Sequence, residues 1–358
     1  MNFLFVGTSP RVGGAEAHFV ALAKAMARNG HRVEALVHPD GWIRQNLADS
    51  AVEVRATRLR NTFDLRGYVA VTRATRRSRP DLLVGDFGKE YWPLLLLGRL
   101  LRIPVALFRH RIPPMHRVSG HLVPRLADHF IAVSEYARRI YIEQGAPADR
   151  VKVLYNPVDI AAHRPDPQRR LAMLDRLGLD RDAIVLGYVG RIHGGKGVIH
   201  LFQAACAAMQ REPRLYCVWL GDGLGMTELR ERIEALPPAL AARHLTPGWV
   251  GDAAPYYNAF SMLALPSVMP ETFGRALVEA QASGIPVLGS AIGGIPETLV
   301  PDRTGLLLPP GDLTAWREGI LSLCDAGQRQ RLGANGRDFV ARHFSEQAVA
   351  DAFLKLLG

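Results

Sequence analysis

The chain has 358 residues, 48% hydrophobic and 22% charged, a composition that excludes a disordered or collagen-like protein and supplies enough apolar mass for two ordinary domains. Of its 44 Lys and Arg and 34 Asp and Glu, 23 and 13 fall in residues 1–150, leaving 21 of each, so the whole net charge of +10 belongs to the first part. Nucleic-acid binding would call for interleaved aromatics, a zinc module or a reading helix, none of which the sequence offers; a face for an anionic acceptor or an acidic membrane surface fits the one-sided charge better.

Asn2 to Gly7 opens the chain as a short strand without the charged leader and long apolar run of a secretory signal, so a cytoplasmic location is expected. Strand-like and helix-like runs then alternate: Ala15 to Asn29, Arg32 to Val37, Asp81 to Gly85, Val105 to Arg109 and His129 to Val133. Such alternation predicts parallel strands with helical crossovers. The longest apolar stretch, Tyr91 to Phe108, contains Pro93, Arg99, Arg102 and Pro104. Burying two arginines in lipid is costly, so it reads as a core helix followed by a core strand. Residues 156–167, NPVDIAAHRPDP, carry three prolines and read as a linker.

Beyond it the alternation restarts with strands at Ile184 to Val189, Leu215 to Leu220, Met262 to Leu265 and Pro286 to Gly289, and residues 336–357 read as one helix. Cys206, Cys217 and Cys324 form no CxxC pair and read as reduced core thiols. The fold class expected is α/β, two Rossmann-like parallel sheets, with ligands beyond the carboxyl ends of the strands.

The candidate chemistry lies in loops that follow strands. Glu271 sits between a strand and a helix, Phe273, Gly274 and Arg275 open that helix, and Glu279 is expected about two turns inside it. Carboxylates suit sugar hydroxyls, whereas a helix N-terminus suits a diphosphate. The alternative is an ordinary helix with one exposed and one capping carboxylate. The segment 187–197, GYVGRIHGGKG, joins a strand to a helix through glycines and bears Arg191 and Lys196, cations able to hold a diphosphate and stabilise charge on a departing one. Its likeness to a P-loop fails at Gly197, where a Ser or Thr is required for magnesium.

In the first part, Gly13 and Gly14 permit close approach of a ligand at the start of a helix, or else form an ordinary turn. His110 ends a strand and is read either as a structural histidine or as a cleft residue. Arg109, Arg111, His116 and Arg117 form a basic cluster, either a solvated rim or an acceptor site.

Taken together, GGAE at 13–16, AVSEYARR at 132–139, YNPVD at 155–159, GR and KG within 190–197, LGDG at 220–223 and ETFGRALVE through GGIPE ending at Glu297 resemble the retaining glycosyltransferase family 4, with the GT-B architecture of two Rossmann-like domains facing a cleft. The resemblance implies an acceptor domain at 1–160, joined by a returning C-terminal helix at 338–358, and a nucleotide-sugar domain at 161–337. It further implies that Glu271 contacts the donor sugar and Glu279 the ribose, that Arg191 and Lys196 hold the diphosphate with amides near Phe273, Gly274, Arg275 and Gly14, and that Val250 lies near the base. His110 matches the family's cleft histidine, although Arg111 follows it where many relatives have Asp.

The expected activity is metal-independent, cofactor-free transfer of a hexose, with retention, from a UDP-sugar or GDP-mannose to an anionic glycan or glycolipid. Lipopolysaccharide or cell-surface polysaccharide synthesis, with peripheral attachment to the inner face of an acidic membrane, is the setting expected. A nucleotide-sugar epimerase or hydrolase and a non-catalytic nucleotide-sugar-binding protein are the alternatives.

Overall fold

The computed structural model describes residues 1–358 and divides into two compact units, Met1–Pro157 with Glu346–Gly358, and Val158–Ser345. The first unit runs β1 (Asn2–Gly7), α1 (Gly14–Arg28), β2 (Arg32–Val37), α2 (Trp42–Leu47), β3 (Glu53–Ala56), α3 (Leu65–Ser78), β4 (Leu82–Gly85), α4 (Tyr91–Leu101), β5 (Val105–Arg109), α5 (Arg117–Leu126), β6 (His129–Ala132), α6 (Glu135–Glu143) and β7 (Val151–Val153). Its seven strands are parallel, in the order β3-β2-β1-β4-β5-β6-β7. The central strands are buried on both faces, which explains their continuous apolar runs. Two cores result, one centred on Phe3, Phe5, Phe19 and Phe108, the other on Leu4, Leu83, Leu94 and Leu107. The apolar stretch from Tyr91 to Phe108 is helix α4 followed by strand β5, as its prolines and arginines predicted.

The second unit comprises α7 (Pro167–Leu177), β8 (Ile184–Val189), α8 (Val198–Met209), β9 (Leu215–Leu220), α9 (Met226–Glu234), α10 (Pro238–Ala241), β10 (His244–Gly248), α11 (Ala254–Ala259), β11 (Met262–Leu265), α12 (Arg275–Ala282), β12 (Val287–Ser290), β13 (Gly305–Leu308), α13 (Leu313–Ser322) and α14 (Ala326–His343). Its strands are also parallel, in the order β10-β9-β8-β11-β12-β13. Helix α15 (Glu346–Leu357) belongs to the first unit, where Val349, Ala350 and Phe353 enter the phenylalanine core.

Residues 336–357, expected as one helix, are therefore two. The break falls at Phe344 and Ser345, where the Phe344 carbonyl accepts from the Val158 amide at 2.8 Å and Ser345 forms a bridge with Val158. The apolar face continues across the break in sequence, so periodicity did not reveal it.

Candidate functional site

In each sheet the strand order reverses once, between β1 and β4 in the first and between β8 and β11 in the second. Loops leaving the carboxyl ends of such a pair diverge to opposite sides and leave a crevice between them. The sequence candidates of the second unit lie there: Arg191 and Lys196 follow β8, and Glu271 follows β11.

Glycines hold these two loops together. Gly197 has φ +65°, and a Cβ there would lie 1.9 Å from the Pro266 carbonyl oxygen, so any other residue forces the loops apart. The Val268 and Met269 amides both donate to the Gly195 carbonyl at 3.1 Å. Gly293, at φ +64°, packs against the backbone of Glu271 in the same way.

This framework brings Lys196 Nζ to 2.6 Å from Glu271 Oε2, with the two side chains 22% and 19% exposed. Ser267 donates to the other Glu271 oxygen. Arg191 is exposed beside them. Burial lowers the His193 pKa first, and the positive charges of Lys196 and Arg191 lower it further against the pull of Glu271. His193, Ser267, Arg191, Lys196 and Glu271 thus form one cluster, of which the sequence had assigned only the last three.

Helix α12 begins at Arg275 with Gly274 as its cap and no side-chain cap bond, and Phe273 is buried beneath the turn. Its start carries a partial positive charge on the same crevice rim. Glu279 lies about one turn inside this helix rather than two, because the helix starts later than its motif suggested. Arg275 Nε donates to Glu279 Oε1 at 2.7 Å, and Tyr257 Oη donates to Oε2 at 2.7 Å. Burial works against the Glu279 charge, but Arg275, His163 and the Tyr257 hydroxyl outweigh it and hold the carboxyl below its usual range. The carboxylate is therefore fixed and ionised, suited to accepting from vicinal hydroxyls. Val250 is half-buried in the loop after β10.

An open depression of about 640 Å³ between α7 and α11, lined in part by Met173, Arg176, Asp252 and Pro255, includes none of these residues. Its charged lining residues Arg169, Arg176 and Asp252 form no ion pair with one another, and Arg169 turns to Asp166; the candidate site is the strand-end loops.

The remaining candidates lie in the first unit. Gly13 and Gly14 form the exposed turn into α1, with no side-chain cap on that helix. His110, just beyond β5, places Nε2 at 2.7 Å from Asp86 Oδ1, and His18 from α1 places Nδ1 at 2.9 Å from the same oxygen. Asp86 and His18 are fully buried, while the His110 side chain is 9% exposed. Burial opposes ionisation of Asp86, yet the two histidines together hold its pKa below the usual carboxylate value. Among the His, Cys, Asp and Glu side chains, this trio also has ligand atoms within 4.8 Å of one another, the arrangement most open to a metal ion. At 2.7 and 2.9 Å the contacts have hydrogen-bond lengths, two imidazoles on a single carboxylate oxygen.

Neighbouring Glu90 is also buried, and burial raises its pKa to about 8 against the bonds it accepts from the Thr8 amide and hydroxyl at 2.7 and 2.8 Å. The basic cluster is split. Arg109 is buried, donates to the Pro113 carbonyl and lies over the Tyr141 ring, 5.5 Å from its centroid, so it supports the loop instead of facing an acceptor. Arg111, His116 and Arg117 are exposed.

Comparison with known proteins adds independent findings. The chain matches the Glycosyltransferase Family 4 model over residues 12–162 and the model for Glycosyl transferases group 1 over residues 183–326. It is 29% identical to a D-inositol 3-phosphate glycosyltransferase of Actinosynnema mirum over 97% of this chain and 92% of that protein. It is 28% identical to the lipopolysaccharide core biosynthesis glycosyltransferase LpsE of Rhizobium meliloti over 96% of each. The Anabaena protein HepE, solved with UDP-glucose, superposes with a TM-score of 0.84 at 23% identity, covering 100% of this chain and 99% of that one.

Proposed function

Because the chain belongs to glycosyltransferase family 4, with the two-sheet GT-B fold, we propose that it moves a hexose from a nucleotide-diphosphate sugar to a hydroxyl of an anionic glycan or glycolipid, with retention and without a metal ion. Family membership decides for a glycosyltransferase over the epimerase, hydrolase and sensor readings left open by the sequence. The observation that carries the proposal is the Lys196–Glu271 pair at the second unit's crevice, beside Arg191 and the start of α12.

The cations and helix amides receive the diphosphate, Glu271 accepts from hydroxyls of the transferred sugar, and Glu279 accepts from those of the ribose. As the bond between the anomeric carbon and the diphosphate oxygen breaks, negative charge grows on that oxygen, where Lys196 and Arg191 stabilise it. The acceptor oxygen bonds to the anomeric carbon from the same face and passes its proton to the departing phosphate. His110, oriented by Asp86, serves the acceptor side. A UDP-sugar is favoured and GDP-mannose is the alternative; the HepE complex with UDP-glucose supports the first. The names of the relatives, one acting on an inositol phosphate and one in lipopolysaccharide core synthesis, support an anionic acceptor and a lipopolysaccharide or surface-polysaccharide role.

Thermal-shift screening with UDP, GDP and their sugars, followed by transfer assays on candidate acceptors, tests this reading. The expected result is a product with the donor's anomeric configuration, formed equally well in EDTA. An inverted product, loss of turnover in EDTA, or sugar release at the same rate without acceptor would sink it.

A further inference from the structure

The charge excess of the first unit has a definite location. Helices α3, α4 and α5 contain seven arginines, at 66, 73, 76, 77, 99, 117 and 125, and no Asp or Glu. All seven are exposed, and Arg77 alone of them pairs with the buried Glu34. These helices cover one face of the sheet in spatial order, α3 touching α4 and α4 touching α5, and the Trp92 indole of α4 donates to the Ser119 hydroxyl of α5 at 3.0 Å.

Their outward stripes are apolar as well as basic. On α3, Leu65, Arg66, Val69, Arg73 and Arg76 are exposed while Val71, Ala74 and Ser78 are buried. On α4, Leu96, Arg99 and Leu100 are exposed, and on α5, Arg117, Val118, His121, Leu122 and Arg125. Leu100 is 75% exposed and Leu65 78%. Apart from Met1 and Val12, every exposed large hydrophobic residue of the first unit lies on these helices or, as Phe63, in the turn before α3.

Scattered exposed leucines need no explanation, but leucines gathered among arginines on three adjoining helices that carry no carboxylate, with Asp64 only at the N-cap of α3, do. An anionic polymer would be met by the arginines alone and would leave the leucines in water. A bilayer surface with acidic headgroups satisfies both, the guanidinium groups at the phosphates and the aliphatic chains below them. We propose that the outer face of α3, α4 and α5 is a docking surface for an acidic lipid bilayer, on which the protein lies without spanning it. No helix is long and apolar enough to cross a membrane. The proposal deepens the reading that the acceptor is carried on a lipid.

The test is sedimentation of the full chain with vesicles of phosphatidylglycerol and phosphatidylcholine, and with phosphatidylcholine alone, at low and high salt. Binding to the acidic vesicles alone, weakened by salt, is expected. Each arginine removed should lower partition about five-fold, so the double variant R73Q/R99Q should bind at least ten-fold more weakly, and L96S/L100S should lose a similar factor. Both variants should retain UDP binding and transfer to a water-soluble acceptor fragment. No binding to acidic vesicles, or loss in R73Q/R99Q with L96S/L100S unchanged, overturns the bilayer surface and leaves the transferase reading intact. Absence of transfer to any acceptor, with vesicle binding unimpaired, overturns the transferase reading and not the surface.

Discussion

Replacing Lys196 with Ala gives the most direct test of the donor site. The Lys196 ammonium group is 2.6 Å from Glu271 Oε2, and both side chains are partly open to solvent. A charge-assisted hydrogen bond contributes about 1.5–3 kcal/mol. Because Lys196 would serve a leaving group whose charge grows during reaction, most of that loss should appear in kcat/KM, as a decrease of about 10- to 150-fold. The pair is partly solvated, so folding stability should change little, by about 1 kcal/mol or less. Glu271→Gln should also lower kcat/KM, and the double variant should fall short of the summed free-energy losses by at least about 0.5 kcal/mol, because each residue orders the other. Initial rates at saturating acceptor, with UDP affinity by calorimetry and Tm as controls, supply the numbers. A K196A enzyme within two-fold of the parent, or single losses that add fully, would refute the shared role of the two residues.

Asp86→Asn removes the carboxylate that two imidazoles share and should destabilise the protein by about 3 kcal/mol at neutral pH. Since the Asp86 pKa is depressed in the folded state, its contribution is present above the ordinary carboxyl value of 3.8 and lost as pH falls below it, so the Tm gap between parent and variant should close below pH 4; a gap independent of pH would contradict the ionised assignment. Glu90 has the opposite sign. Its folded pKa of about 8 exceeds the ordinary 4.5, so its favourable contribution is complete below 4.5 and disappears as pH rises through 8. Glu90→Gln should therefore match the parent near pH 4.5 and exceed it in Tm at pH 8.5, and a variant less stable at both values would show that the carboxylate is needed. Gly197→Ala should lower Tm by several degrees and donor affinity at least ten-fold, because its Cβ would collide with the Pro266 carbonyl; thermal melts with and without UDP decide this.

The second unit's candidate site was legible because the residues proposed for it are concentrated in two short loops. The GYVGRIHGGKG segment places two cations among glycines after one strand, and the ETFGR segment places a carboxylate before a helix after another. Only the order β9-β8-β11 makes those loops neighbours, although they are 75 residues apart at Lys196 and Glu271. Elements governed by weaker local signals were missed. Strand β3 is an edge strand with Glu53 and Arg55 in a four-residue span, and β10 contains Pro247, so neither has an apolar run. Helix α3 buries little beyond Gly67, Val71 and Ala74 amid threonines and arginines.

The His18–Asp86–His110 trio was hidden for a different reason. His18 lies on a buried helix face where a histidine reads as core, and Asp86 ends a strand where a carboxylate reads as a solvated turn. Their 68-residue separation has no period and no motif. What joins them is the β1-β4-β5 order, which sets the loop after β4 beside the start of α1 on one side and the end of β5 on the other. A buried carboxylate flanked by two imidazoles is stable only while both remain in reach, so this end of the sheet has little freedom to rearrange. The consequence for His110 is mechanical: an imidazole tied at Nε2 to a buried oxygen presents its remaining edge in one orientation.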